Sequence, residues 1–208
     1  MDTPAKSVGI VIATRFEAAP LLRAFGFRKA GRHLYQADRD GQKVLLAISG
    51  IGREPARRAS YRLCDAGAKE LISAGYCGAL APELRVGDLI TDRIATSPVA
   101  VWKRADRMAL AEKAGAQAVD METQAIIEAG TRRGVPIRVL RVVSDRLGDD
   151  ISPLLGDEPA FSPSRIALRL LNPFNWPHAL TMWRQSQVAG RRLVQALRDH
   201  LGKTAAMS

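Results

Sequence analysis

The chain has 208 residues, 47% of them hydrophobic and 5% aromatic, which suits one domain with a substantial core. Thirty-one Lys and Arg against 21 Asp and Glu give a net charge of +10, spread along the chain rather than gathered in a tail. That balance fits nucleic acid, an anionic membrane surface or solubility alone; without an aromatic-interleaved basic motif or a zinc finger, it argues against specific nucleic-acid binding.

Residues 8–13 form a short apolar run, read as the first buried strand. Thr14-Arg15-Phe16-Glu17 then turns into a helix over 17–25, with Pro20 in its first turn. Glu17 is thus an acid just past the carboxyl end of a strand. Residues 33–42 suit a hairpin arm with a turn at Asp40-Gly41, and 43–48 suit the next strand. Ser49-Gly50-Ile51-Gly52-Arg53 leads into a helix over about 54–66. Glycines at such a junction let backbone approach a ligand, or make a plain turn.

A strand over 70–74 ends in a second glycine-bearing loop, Gly75-Tyr76-Cys77-Gly78. Cys77 is a nucleophile or a small buried thiol, and the lack of a nearby histidine favours the thiol. Leu84-Arg85-Val86-Gly87-Asp88 turns into a strand reaching about residue 95.

Ala118-Val119-Asp120-Met121-Glu122-Thr123 opens a helix that runs to Gly134. Asp120 and Glu122 suit its positive N-terminus, Arg132 and Arg133 its last turn, and Pro136 its stop. The run 137–143 is nearly continuous and β-branched, like a strand covered on both faces, and Ser144-Asp145 follows it. Ligands of open α/β sheets bind beyond the carboxyl ends of the strands, so Asp145 points to a pocket. Residues 146–163 read as a proline-bearing loop and about 178–201 as an amphipathic helix.

Alternating strands and helices with acids or glycines at the strand exits describe a three-layer α/β domain with its site along one sheet edge. The whole chain, 1–208, reads as a single domain with a core over 8–148 and a helical extension over 164–202. His33, His178 and His200 match no ligand spacing, so neither metal nor cofactor is expected. The N-terminus lacks the features of a signal peptide, and no apolar run spans a bilayer. A cytoplasmic chain with free Cys64 and Cys77 thiols is the expectation.

Four blocks in order resemble the purine/uridine phosphorylase and nucleosidase superfamily, above all its 5′-methylthioadenosine/S-adenosylhomocysteine nucleosidase branch. They are Gly9-Ile10-Val11-Ile12-Ala13 through Glu17; Ser49-Gly50-Ile51-Gly52; Gly75-Tyr76-Cys77-Gly78 through Asp88; and Ala118-Val119-Asp120-Met121-Glu122 through Ser144-Asp145. The resemblance implies a phosphorylase/hydrolase-like fold around a central mixed sheet, and a homo-oligomer. It implies Asp145 as the general acid that protonates purine N7, and Glu17 as the acid that activates water. It implies Glu122 on the ribose 2′- and 3′-hydroxyls with Met121 against the sugar. Ser144, Gly75, Tyr76 and Val119 become base or loop contacts, and Ser49, Gly50 and Arg53 candidates for the nucleophile site. Phosphorylases of this superfamily typically carry an arginine where this chain has Ser73, and a small hydroxyl where it has Tyr76. Water is therefore expected as nucleophile, with Arg15 or Arg53 as alternative holders of phosphate.

The chain departs from the family between residues 90 and 119, where a much longer block is usual. The wall over the base is then shortened or rebuilt, with Trp102 a packing residue or a stacking platform for the base. Phe174, Trp176 and Trp183 among arginines suit either an ordinary amphipathic packing helix or a lipid headgroup layer. Together with the block ending in Ser144-Asp145-Arg146-Leu147-Gly148-Asp149-Asp150, they are similar to the hopanoid-associated phosphorylase subgroup. That likeness implies a lipid-linked adenosine as substrate and peripheral contact with the inner membrane face. A non-catalytic nucleoside- or lipid-binding protein on the same scaffold is the reading from another class.

Overall fold

The computed structural model describes residues 7–39, 41–149, 154, 168–169 and 171–206, with 203–206 described by backbone alone. Nine strands form one mixed sheet among the described residues. At its centre β1 (Ser7–Ile12), β5 (Glu70–Ala79) and β9 (Ile137–Asp145) run parallel, with β4 (Gln42–Ile48) parallel on the far side of β1. β2 (Arg28–Gly31) and β3 (Leu34–Arg39) extend that edge antiparallel. β6 (Leu89–Ile90) pairs antiparallel with β9. β8 (Ala118–Asp120) pairs antiparallel with the carboxyl end of β5, and β7 (Ile94–Thr96) runs parallel to β8.

Helices cover both faces. α1 (Arg15–Phe25) and the last helix, α5 (Trp176–Ala206), pack Leu21, Phe25, Leu193, Leu197 and Leu201 against Ile10, Leu46 and Val142. α2 (Arg53–Asp65) and α4 (Thr123–Arg132) pack Ala56, Leu63 and Ile126 against Val11, Leu45 and Leu71. A continuous apolar run buried on both faces is what parallel central strands require.

Several boundaries differ from the sequence expectation. α1 starts at Arg15, because Thr14 caps it; Pro20 therefore lies inside the helix. The segment 118–120 is a short strand, not the start of α4, because β5 offers its carboxyl end as a pairing partner. The strand expected up to residue 95 breaks into β6 and β7, with Arg93 between them at φ 48°. Residues 91–118 are short but rebuilt: they hold β7 and a helix, α3 (Arg104–Ala114). α5 is longer than expected. The proline-bearing loop and the Asp40 turn position lie mostly outside the described residues.

Candidate active site

The carboxyl ends of β1, β5, β8 and β9 open onto one cavity of about 300 Å³. Its lining includes Glu17, Tyr76, Val119, Met121, Glu122, Ser144 and Asp145, which come from remote parts of the chain. Gly75 lies just behind: a Cβ there would meet the Arg141 guanidinium at 2.8 Å and Glu17 Oε1 at 2.9 Å, so only glycine leaves room.

Glu17 is held by a capping box. Its Oε2 accepts from the Thr14 N–H (2.9 Å) and hydroxyl (2.8 Å), while Thr14 Oγ1 accepts the Glu17 N–H (3.2 Å). Its Oε1 accepts the Tyr76 N–H at 3.0 Å, which ties α1 to β5. The Tyr76 phenol donates to the Ser186 carbonyl of α5 (3.3 Å). Burial, and then the charge of Glu17, hold that phenol protonated well above its ordinary range.

Glu122 is 5% exposed. Its Oε1 accepts the Gly52 N–H at 2.8 Å, and its Oε2 lies 3.5 Å from Arg141 Nη1. Burial outweighs the opposing pull of Arg141 and pushes the carboxyl up to about 7. Asp145 lines the same cavity. The Ser144 hydroxyl donates to its Oδ1 (2.7 Å) and Arg107 Nη2 donates to its Oδ2.

Arg141 lies beneath this arrangement at 1% exposure. Its guanidinium pairs with Asp120 (3.0 Å) and donates to Thr123 Oγ1 (3.1 Å), Ser73 Oγ (3.1 Å) and the Tyr76 carbonyl (3.4 Å). A charge so buried persists only when paired and hydrogen-bonded. Cys77 is a buried thiol whose proton is held far above the ordinary range, chiefly by desolvation, so it is no nucleophile.

The block 49–53 reaches the cavity only in part. Ile51 lines it, and Gly52 donates its N–H to Glu122. The Ser49 hydroxyl turns to the Ile12 and Gly50 carbonyls, and Arg53 pairs with Glu128 of α4 at 2.9 Å. Ser49, Gly50 and Arg53 are therefore not in the lining: the turn presents its backbone rather than its side chains. Arg15 is solvent-exposed. Trp102 is buried in the cavity wall, and its indole N–H has no partner among the described residues.

The sequence model of the phosphorylase superfamily matches residues 7–91 and 91–162. The chain belongs to the phosphorylase superfamily. Among solved structures, this superfamily member is similar to the 5′-methylthioadenosine/S-adenosylhomocysteine nucleosidase of Helicobacter pylori, with TM-score 0.72 and 16% identity over 95% of this chain and 100% of that one. It is also similar to the futalosine hydrolase of the same organism, with TM-score 0.71 and 16% identity over 94% and 98%. A 5′-methylthioadenosine/S-adenosylhomocysteine nucleosidase of Tolumonas auensis is 40% identical over 62 residues, which are 29% of this chain and 27% of that protein. At these identities the solved structures establish the fold.

Arg107 and Arg141 were not singled out from the sequence. For Arg141 a signal existed: an arginine inside a covered strand needs acids nearby, and Asp120 and Glu122 were the acids at hand.

Proposed function

We propose that this protein hydrolyses the N-glycosidic bond of a 5′-substituted adenosine and releases adenine. The observation that carries the reading is the convergence of Glu17, Glu122 and Asp145 on one cavity. Asp145 passes a proton to purine N7 as the C1′–N9 bond breaks, and the base leaves neutral. The sugar becomes oxocarbenium-like, as in glycoside hydrolysis. Glu122 anchors its hydroxyls, and Met121 packs against the ring. Water adds to C1′ and gives its proton to Glu17, leaving adenine and a free sugar.

Water rather than phosphate suits the lining. Its one cation among the described residues is Arg107, already committed to Asp145 and two backbone carbonyls. Arg141 is likewise engaged by Asp120, Thr123 and Ser73. The relatives' names, nucleosidase and hydrolase, support the same choice.

The 5′ substituent is, in this reading, a lipid. Phe16, Val99, Val101 and Met182 line the cavity with apolar surface. Leu171, Phe174, Trp176 and Trp183 are exposed on and before the N-terminal half of α5, which also supplies Met182 to the cavity. Aromatic side chains beside Arg184 and Arg191 suit an anionic headgroup layer, and a nucleoside presented from a membrane would meet the site there.

The test is base release by Asp145→Asn and Glu17→Gln. Each is expected to lose ~10²–10⁴-fold in turnover with its melting transition kept. Wild-type turnover in either variant overturns the assignment.

A further inference from the structure

α3 is a helix with one buried side chain among those described, and that side chain is an arginine. Arg107 is 2% exposed, while Arg104, Asp106 and Met108 face solvent. A guanidinium is costly to bury unless its donors are matched. Here Nε donates to the Val101 carbonyl (2.9 Å), Nη1 to the Arg146 carbonyl (3.0 Å) and Nη2 to Asp145 Oδ2. The two carbonyls come from the cavity wall and from the residue after Asp145, so the fork is fixed in plane and direction by backbone.

Gly78 completes the seat. A Cβ there would lie 3.1 Å from both Arg107 Nη2 and Asp145 Oδ2, so the pair rests directly on the β5 backbone. The Ser144 hydroxyl holds the other carboxylate oxygen. Asp145 is thus clamped on both oxygens, yet it keeps a side exposed to the cavity.

We infer that Arg107 is the positioning residue of the leaving-base acid: it aims Asp145 and stabilises the carboxylate formed as the proton passes to the departing base. This inference rests on the proposed hydrolysis. In that step the Asp145 O–H bond breaks, the proton joins N7, the C1′–N9 electron pair leaves with the base, and a full negative charge appears on Asp145. A fixed cation needs no reorganisation at that moment, which is where preorganised charge acts most strongly.

The test compares Arg107→Met and Arg107→Lys with Asp145→Asn on two substrates. One is a 5′-substituted adenosine, and the other is a riboside with a 4-nitrophenolate leaving group, which departs without protonation. Arg107→Met is expected to lose about 10²-fold in kcat on the adenosine, and no more than about threefold on the nitrophenyl riboside. Arg107→Lys keeps the charge without the fork, guards against a folding failure, and is expected to fall between wild type and Arg107→Met on the adenosine alone. The double variant Arg107→Met/Asp145→Asn should be no slower than Asp145→Asn, because both substitutions remove one device. Equal losses on the two substrates, or additive losses in the double variant, would overturn the inference. If Asp145→Asn alone retains wild-type adenine release, the proposed function falls instead; if Asp145→Asn is inactive and Arg107→Met is not impaired, only this inference falls.

Discussion

Replacing Glu122 by Gln should change how stability depends on pH. Glu122 is 5% exposed, and burial raises its carboxyl from the ordinary 4.5 to about 7. Between those values the unfolded chain has given up the proton while the folded protein still holds it. The neutral carboxyl therefore contributes stability that is complete below about pH 4.5 and is lost as pH rises through 7. At roughly 1.4 kcal/mol per pH unit of displacement, the loss is about 3 kcal/mol. Gln keeps the shape, and its carbonyl can still accept the Gly52 N–H seen at 2.8 Å, but it does not titrate. Urea unfolding of both proteins at several values from pH 4.5 to 8 measures the difference directly. Wild type should lose up to about 3 kcal/mol relative to Glu122→Gln across that window. A difference that stays constant with pH would refute the reasoning. Because the ionised carboxylate is the better acceptor for sugar hydroxyls, nucleoside binding to wild type should tighten over the same window and stay flat in the variant.

Arg141→Met leaves Asp120 and Glu122 buried without their cation, and should cost about 3–5 kcal/mol in urea unfolding at pH 7. A loss below about 1 kcal/mol would mean the pairing carries little of the site's stability. The exposed aromatics before and on α5 should bring the protein up with anionic vesicles in a flotation gradient at low salt, and Trp176→Ser with Trp183→Ser should abolish it. Failure of the wild type to co-float would contradict the membrane-presented substrate.

The acids were legible because each lies at a strand exit, and strand exits can be read from apolar runs. Asp145 follows one such run and Glu17 another, so their convergence needed only the parallel-sheet rule. Glu122 is legible instead as an acid at a helix N-terminus and through the family resemblance, because the segment before it does not read as a strand. Three residues, Ala118–Asp120, are too few for a period to show, and their pairing partner lies about 40 residues away in β5. Arg53 pairs with Glu128 outside the lining, because a glycine-rich turn can offer backbone or side chain and only the fold decides which. Arg107 gave no signal. It stands among Lys103, Arg104, Asp106 and Lys113 in a stretch that reads as solvated, and burial by its neighbours alone distinguishes it.

The central claim is that the three carboxylates cut a nucleoside with water. Mass spectrometry of a panel of 5′-substituted adenosines incubated with the protein, with and without phosphate, tests it directly. Hydrolysis yields adenine and a free reducing sugar in equal amounts, formed without phosphate. No base release from any member, or release only with phosphate and as the sugar 1-phosphate, would contradict it.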